Sequence, residues 1–256
     1  MLVREWGLSG AAATLSIQSG IMFLFCHLAL RSECRASKIR TGAGGFWKER
    51  RCLIDFSLPA AASGLLGSFA IWYCSAILVR ERGFGEMALF SAASTFRSLV
   101  MFTPGTIGRV TAPLMNVQLG GGDQSRYGQT YRANVVLLGV SALMAALPFM
   151  LARDFFLRVF GKGFDDPSGA VTLLLLATIV EVIVGGVQQA FFAHGRLWLQ
   201  FIGIVTWGTA LVVLTYILAW RGAFGLALAY LGSWLIAGAF SMPAAARLNA
   251  RSRVKA

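Results

Sequence analysis

The sequence predicts an all-α, polytopic membrane protein with about seven transmembrane helices, and three observations carry that fold class. Of 256 residues, 57% are hydrophobic and only 13% charged, a balance of multi-span membrane proteins rather than soluble domains. The apolar residues gather into seven runs, each near the roughly 20 residues needed to cross about 30 Å of hydrocarbon. Lys and Arg, which give a net charge of +12, collect in alternate connecting segments, as in the cytoplasmic loops of membrane proteins. Nucleic acid is therefore not expected as a partner; the lipid bilayer is.

The first run, Gly7 to Leu30, is long and has its positive charges mostly after it, so it reads as a membrane helix rather than a cleaved signal peptide. A basic linker, residues 31–52, follows. The second span, Leu53 to Val79, carries Asp55 in its first turn, where a carboxylate suits the positive helix end. Its Pro59 removes a backbone donor and predicts a kink or hinge. The third, Met87 to Ile107 with a helical continuation to about Leu119, contains Arg97 and a second hinge candidate, Pro104. "NVQLGGGDQSRYGQTYR" from Asn116 is a linker whose GGG lacks the Lys and Ser/Thr of a phosphate-binding loop. The fourth span runs from Ala133 to Leu151. Beyond it, "RDFFLRVFGKGFDD" places Phe155, Phe156, Val159 and Phe160 on one face of an amphipathic interfacial piece. The fifth span, Ala170 to Phe192, carries Glu181. A tight turn with His194 leads to the sixth, Trp198 to Trp220, and the seventh, Ala223 to Ala246, ends in the basic tail 247–256.

Seven spans put the termini on opposite sides. One side, with residues 31–52, 107–132, 193–197 and 247–256, holds 15 Lys and Arg against 7 on the other. The positive-inside rule makes the first side cytoplasmic, the N-terminus outside and the C-terminus inside. "WGLSGAAATLSIQSG" at Trp6 and "RGAFGLALAYLGSW" at Arg221 both enter from outside with G-x-x-G. As a repeat signal, this echo makes the first span the closing helix of an earlier half and the other six a complete half.

Charge within the spans is the main functional signal. Arg97 lies about ten residues into its span, roughly 15 Å deep at 1.5 Å per residue, and Glu181 lies at matching depth in another. A charge at mid-depth costs about 2.5–3.5 kcal/mol on insertion scales, so such residues pair with each other or line a wet cavity. Ala93, Ser94, Met101 and Pro104 share the face of Arg97. Glu181 aligns with Gly185 and Gln188, with Gln189 adjacent, and Gln200 shares a face with Trp207. Polar stripes of this kind suit a hydrated, sugar-compatible cavity, and each is also explained by hydrogen bonding between helices.

Other chemistry finds no support. Cys26, Cys34, Cys52 and Cys74 include no C-x-x-C pair, so neither a metal knuckle nor a redox motif is expected, and no cofactor is. His27 and His194 read as interfacial residues. The outward segment offers Asp154, Asp165 and Asp166 with no histidine partner, so no catalytic residue is assigned.

"RRCLIDFSLPAAASGLL" from Arg50, "GEMALFSAASTFRSLVMFTPGTIGRVTAPLM" from Gly85, "FFLRVFGKGF" from Phe155 and "GAFGLALAYL" from Gly222 together resemble the oligosaccharide flippases of the multidrug/oligosaccharidyl-lipid/polysaccharide exporter superfamily, the O-antigen and exopolysaccharide lipid-carrier translocases. The resemblance covers nearly the whole chain. It implies residues 1–30 as the last helix of a first lobe, 53–246 as a complete six-helix second lobe, and a location in the bacterial inner membrane. It further implies Arg97 as a cavity cation.

The resulting expectation is a non-enzymatic flippase component that moves isoprenoid-diphosphate-linked oligosaccharide across the membrane for surface polysaccharide or lipopolysaccharide synthesis. Arg97 would attract the diphosphate, Gln188 and Gln189 would bind sugar, and Glu181 would balance Arg97 or take a coupling proton. The expected partners are the lipid-linked substrate and either a separate first lobe or a second copy. A multidrug exporter of the same superfamily and a polysaccharide polymerase or ligase are the alternatives. The first would favour cavity carboxylates, and the second a cluster of acid, base and basic groups near the interface.

Overall fold

The computed structural model describes residues 2–37, 50, 53–158, 166 and 168–254 of the chain. Most of the 31–52 linker, as well as Val159, Phe160 and Asp165, lies outside the described residues. Helices account for almost everything else. They are α1 (Leu2–Ala36), α2 (Leu58–Arg82), α3 (Phe84–Gly120), α4 (Gln124–Leu151), the short α5 (Arg153–Arg158), α6 (Ala170–Ala193), α7 (Leu197–Leu218) and α8 (Ala223–Val254).

The chain divides into two compact units, Met1–Arg50 and Arg51–Ala256. The first contains α1, along which Met22, Phe23, Phe25 and Leu30 are exposed. The second contains the other helices. Within it α6 packs against α3, α4 and α8; α7 packs against α8 and α2; and α2 and α3 close the round. The core lies where Leu174, Leu175 and Val184 of α6 meet Leu226 and Ala237 of α8, with Val100 of α3 and Leu211 of α7. Small residues let the backbones approach: Gly186 of α6 sits against Leu138 of α4, and Gly238 of α8 against Val184 of α6.

Large apolar side chains also point outward. Leu65, Trp72, Phe102, Met144 and Tyr216 are all exposed, an arrangement that suits lipid and would be a liability in water. Among the described residues, five helices are long and apolar enough to cross a membrane: Leu53–Arg82, Gln124–Leu151, Ala170–Ala193, Leu197–Arg221 and Ala223–Ala250. The remaining two expected spans fall on α1 and α3, which are helical over 35 and 37 residues. Arg97 and the neighbouring Ser and Thr make α3 less apolar. Those hydroxyls turn back on their own helix: Thr95 donates to the Ser91 carbonyl and Ser98 to that of Ser94. Each hydroxyl is thereby satisfied without water.

The prolines occupy distinct settings. A π-helical turn, Leu53–Ser57, runs directly into α2, and Pro59 stands at the start of α2, so its missing N–H falls where the helix changes from π to α bonding. Pro59 therefore marks the junction between two helical geometries. Pro104 and Pro113 lie inside the continuous α3.

Two helical hairpins are joined at their tips. The α2–α3 tip at Gly83 is flanked by Arg82, whose guanidinium donates to the Trp220 carbonyl, and Glu86, which accepts from the Ala223 amide at 2.7 Å. Glu86 thus places a carboxylate at the positive end of α8. The connection from α7 passes through Gly222 at φ +69°, and the Glu86 carboxylate occupies the place a Cβ would take there.

The amphipathic expectation for the segment after α4 needs correction. Phe156 of α5 packs on Phe149 at 4.8 Å between ring centroids, and on Phe96 at 6.0 Å. Leu157 is buried while Phe155 is 68% exposed. The buried face of α5 is thus formed by Phe156 and Leu157, because the piece folds back on α3 and α4.

Candidate functional site

Arg97 and Glu181 meet. Arg97 projects from α3 and Glu181 from α6, and they form a forked pair: Nε donates to Oε2 at 3.0 Å, and Nη2 to Oε1 and Oε2 at 2.6 and 2.8 Å. A guanidinium matches a carboxylate in this way because both are planar and bidentate. Their side chains are 19% and 11% exposed. The Tyr230 ring lies 5.9 Å from the guanidinium carbon and belongs to an aromatic cluster with Phe90, Trp207 and Trp234.

The pair stands at the head of a groove between α3 and α6. This groove, about 450 Å³, is lined by Pro104, Gly105, Gly108 and Arg109 of α3 and by Glu181, Gly185 and Gln189 of α6, with Trp234 of α8 at its side. Glycine and proline keep its walls low. Glu181 lines the groove and Arg97 does not. Of the two hinge candidates, Pro104 lines the groove and Pro59 is remote from it.

The two glutamines separate. Gln189 faces the groove and accepts from Asn134 Nδ2 at 2.7 Å, and Asn134 in turn accepts from the Thr111 hydroxyl at 2.6 Å. Gln188 turns the other way and donates to Ser241 of α8 at 3.1 Å. At 3.6 residues per turn, the groove is centred roughly 80° around α6 from Glu181, which includes Gln189 and leaves Gln188 behind. Gln200 Oε1 and the Trp207 and Trp234 indole nitrogens are buried with no hydrogen-bond partner among the described residues.

Sequence reasoning missed Thr111, Asn134, Arg109 and Trp234. Asn134 carries a readable signal, as the lone amide in the apolar run "ANVVLLGV". Arg109 reads from the sequence only as a loop charge. The acids of the segment between α4 and α6 resolve differently: Asp166 accepts from the Ala170 and Val171 amides at 2.9 and 2.8 Å and from the Ser168 hydroxyl. It is the cap of α6. Asp154 pairs with Arg153 at 3.3 Å. Among the described residues there is no cluster of His, Cys, Asp and Glu suited to a metal, and Cys26, Cys34 and Cys74 are free thiols.

Fold and site together define an all-α, multi-span membrane protein with a forked ion pair heading a groove between two of its helices. No protein-family model and no solved structure matches the chain. Two curated proteins do. It is 24% identical over 221 residues to the EPS I polysaccharide export inner membrane protein EpsE of Ralstonia nicotianae, covering 82% of this chain and 50% of that protein. The protein of the same name from Ralstonia solanacearum is 24% identical over 200 residues, covering 77% of this chain and 44% of its own. The chain spans about half the length of the curated relatives it matches.

Proposed function

We propose that this chain is an inner-membrane component of polysaccharide export and acts as one lobe of a flippase for isoprenoid-diphosphate-linked oligosaccharide. The single observation that carries this reading is the Arg97–Glu181 fork at the head of the α3–α6 groove, supported by likeness to two proteins named for polysaccharide export. Moving a lipid-linked glycan needs no covalent chemistry. It needs a polar path at mid-depth and two states of the protein that expose it alternately.

The pair supplies both elements of that mechanism. Closed, it is neutral overall and tolerable between helices. An anionic headgroup that reaches the head of the groove meets the Glu181 carboxylate there and is repelled. Protonation of Glu181 removes the repulsion and frees the Arg97 fork, which then binds phosphate oxygens in the geometry it used for the carboxylate. Alternating access further needs a second helical body to rock against, supplied by a first lobe or a second copy. This reading takes the Ala193 end of α6 as the cytoplasmic one, from the excess of Lys and Arg in the connecting segments on that side.

A drug exporter is the second reading, because the group lining the groove is the carboxylate rather than the guanidinium. Deleting the gene and locating the lipid-linked intermediate separates the two. The flippase reading expects intact intermediate held in the cytoplasmic leaflet and loss of surface polysaccharide. Normal surface polysaccharide together with new sensitivity to cationic drugs would replace it with the exporter. An intermediate of altered glycan length would point to an assembly enzyme instead.

A further inference from the structure

The groove has a second polar end, and its chemistry differs from that of the Arg97–Glu181 head. Arg109 lines it there, about 18 Å from Arg97 along α3 at 1.5 Å per residue. From Glu86 at the hairpin tip to Arg109 the helix rises about 35 Å, more than the roughly 30 Å of hydrocarbon. Arg109 therefore lies at the depth of lipid headgroups while Arg97 lies near mid-depth. Arg97 is spoken for by Glu181, whereas Arg109 enters no ion pair among the described residues.

Beside it the structure holds an amide in a fixed place. Thr111, Asn134 and Gln189 form a hydrogen-bonded chain across α3, α4 and α6. Asn134 is 2% exposed, so it is buried for the sake of its two neighbours. The chain holds Gln189 so that its other amide atom lies against Gly108, where any larger residue would push it away, and on the groove wall. That atom has no protein partner among the described residues. That atom is Nε2, a donor, and the oxygen of a sugar hydroxyl accepts from it.

We infer that this mouth is a headgroup subsite for a phosphate-linked sugar lipid: Arg109 pairs with the phosphate, and Gln189, positioned by Asn134 and Thr111, meets the sugar hydroxyls. The groove's polarity supports the assignment. Its mouth is cationic and its head presents a carboxylate, so an anionic headgroup is held at the mouth and kept from the head until the Arg97–Glu181 pair opens. The inference rests on the flippase reading for its substrate class, and adds the place where that substrate first binds.

Binding to the detergent-solubilised 256-residue chain, followed by microscale thermophoresis, tests it with three probes: farnesyl diphosphate, farnesyl-diphosphate-linked glucose and phosphatidylglycerol. The first two are expected to bind, the sugar-linked one more tightly, and phosphatidylglycerol to compete poorly. Arg109→Gln should weaken both diphosphates about tenfold or more, as expected when a charge-assisted hydrogen bond is removed, and Arg109→Lys less. Gln189→Leu, on the groove wall, should remove only the advantage of the sugar. Asn134→Leu should act in the same direction, and Gln189→Leu keeps the test decisive if that buried change prevents folding. Diphosphate binding undiminished in Arg109→Gln would overturn the subsite while leaving the flippase reading intact. Equal competition by phosphatidylglycerol would reduce the mouth to an ordinary phospholipid contact and overturn it as well. No binding of either diphosphate, with loss of surface polysaccharide on gene deletion, would overturn the subsite alone; no binding and normal polysaccharide would overturn both.

Discussion

Arg97 and Glu181 show why one sequence pattern supports two opposite expectations. A lone charge at mid-depth reads equally as half of an ion pair or as the wall of a wet cavity. Here the two charges form an ion pair, and of the pair it is the carboxylate that lines the groove. Removing one partner leaves a buried charge, so Arg97→Leu or Glu181→Leu should each destabilise the protein by about 3 kcal/mol, the low end for buried pairs given their partial exposure. The double variant Arg97→Met, Glu181→Leu should recover most of that stability in detergent unfolding scans and still fail to export. Recovery of export by the double variant would show that the pair is structural only. The depth of both residues is legible from counting along the spans. Their pairing is not, because it depends on which of six helices face each other. Gln188 and Gln189 carry the same lesson at finer grain: a shift of one residue turns a side chain about 100° around a helix, and span counting does not fix rotation that closely.

At the scale of elements, helices are readable wherever hydropathy alone decides. Leu53–Arg82 and Ala170–Ala193 fall within a few residues of the expected second and fifth spans. What hydropathy does not encode is how the helix ends meet. The joined tips, in which Arg82 reaches Trp220 and Glu86 reaches Ala223, link residues 138 and 137 positions apart. Gly222 stands at φ +69° with the Glu86 carboxylate against it, so Gly222→Ala should cost of order 1–3 kcal/mol. A Glu86→Ala background makes room for the added methyl and leaves only the backbone strain, so the same change should cost less there. Equal destabilisation in both backgrounds would mean that crowding by Glu86 contributes nothing. Asp166 is an independent case, receiving three hydrogen bonds at the start of α6. Asp166→Ala should lower stability by about 1–2 kcal/mol by removing the cap, with faster amide exchange confined to the first turn of α6. A failure of export in a stably folded Asp166→Ala protein would instead give that acid a functional role.

For the whole molecule, a stable helical unit carries a groove with a charged pair at its head and an arginine at its mouth. The central claim is that opening the Arg97–Glu181 pair is a step in moving a lipid-linked glycan. It is tested most directly in cells lacking the chromosomal copy and carrying Arg97→Gln or Glu181→Gln; the second keeps the side chain's size, the first shortens it, and both keep a hydrogen-bonding group. Surface polysaccharide is measured alongside the amount of the protein in the inner membrane and the leaflet holding the lipid-linked oligosaccharide. The account predicts membrane levels close to wild type, surface polysaccharide reduced about tenfold or more, as expected when a charge-assisted hydrogen bond is removed from a transport step, and intact precursor accumulating in the cytoplasmic leaflet. Normal surface polysaccharide from either variant at wild-type abundance would contradict it.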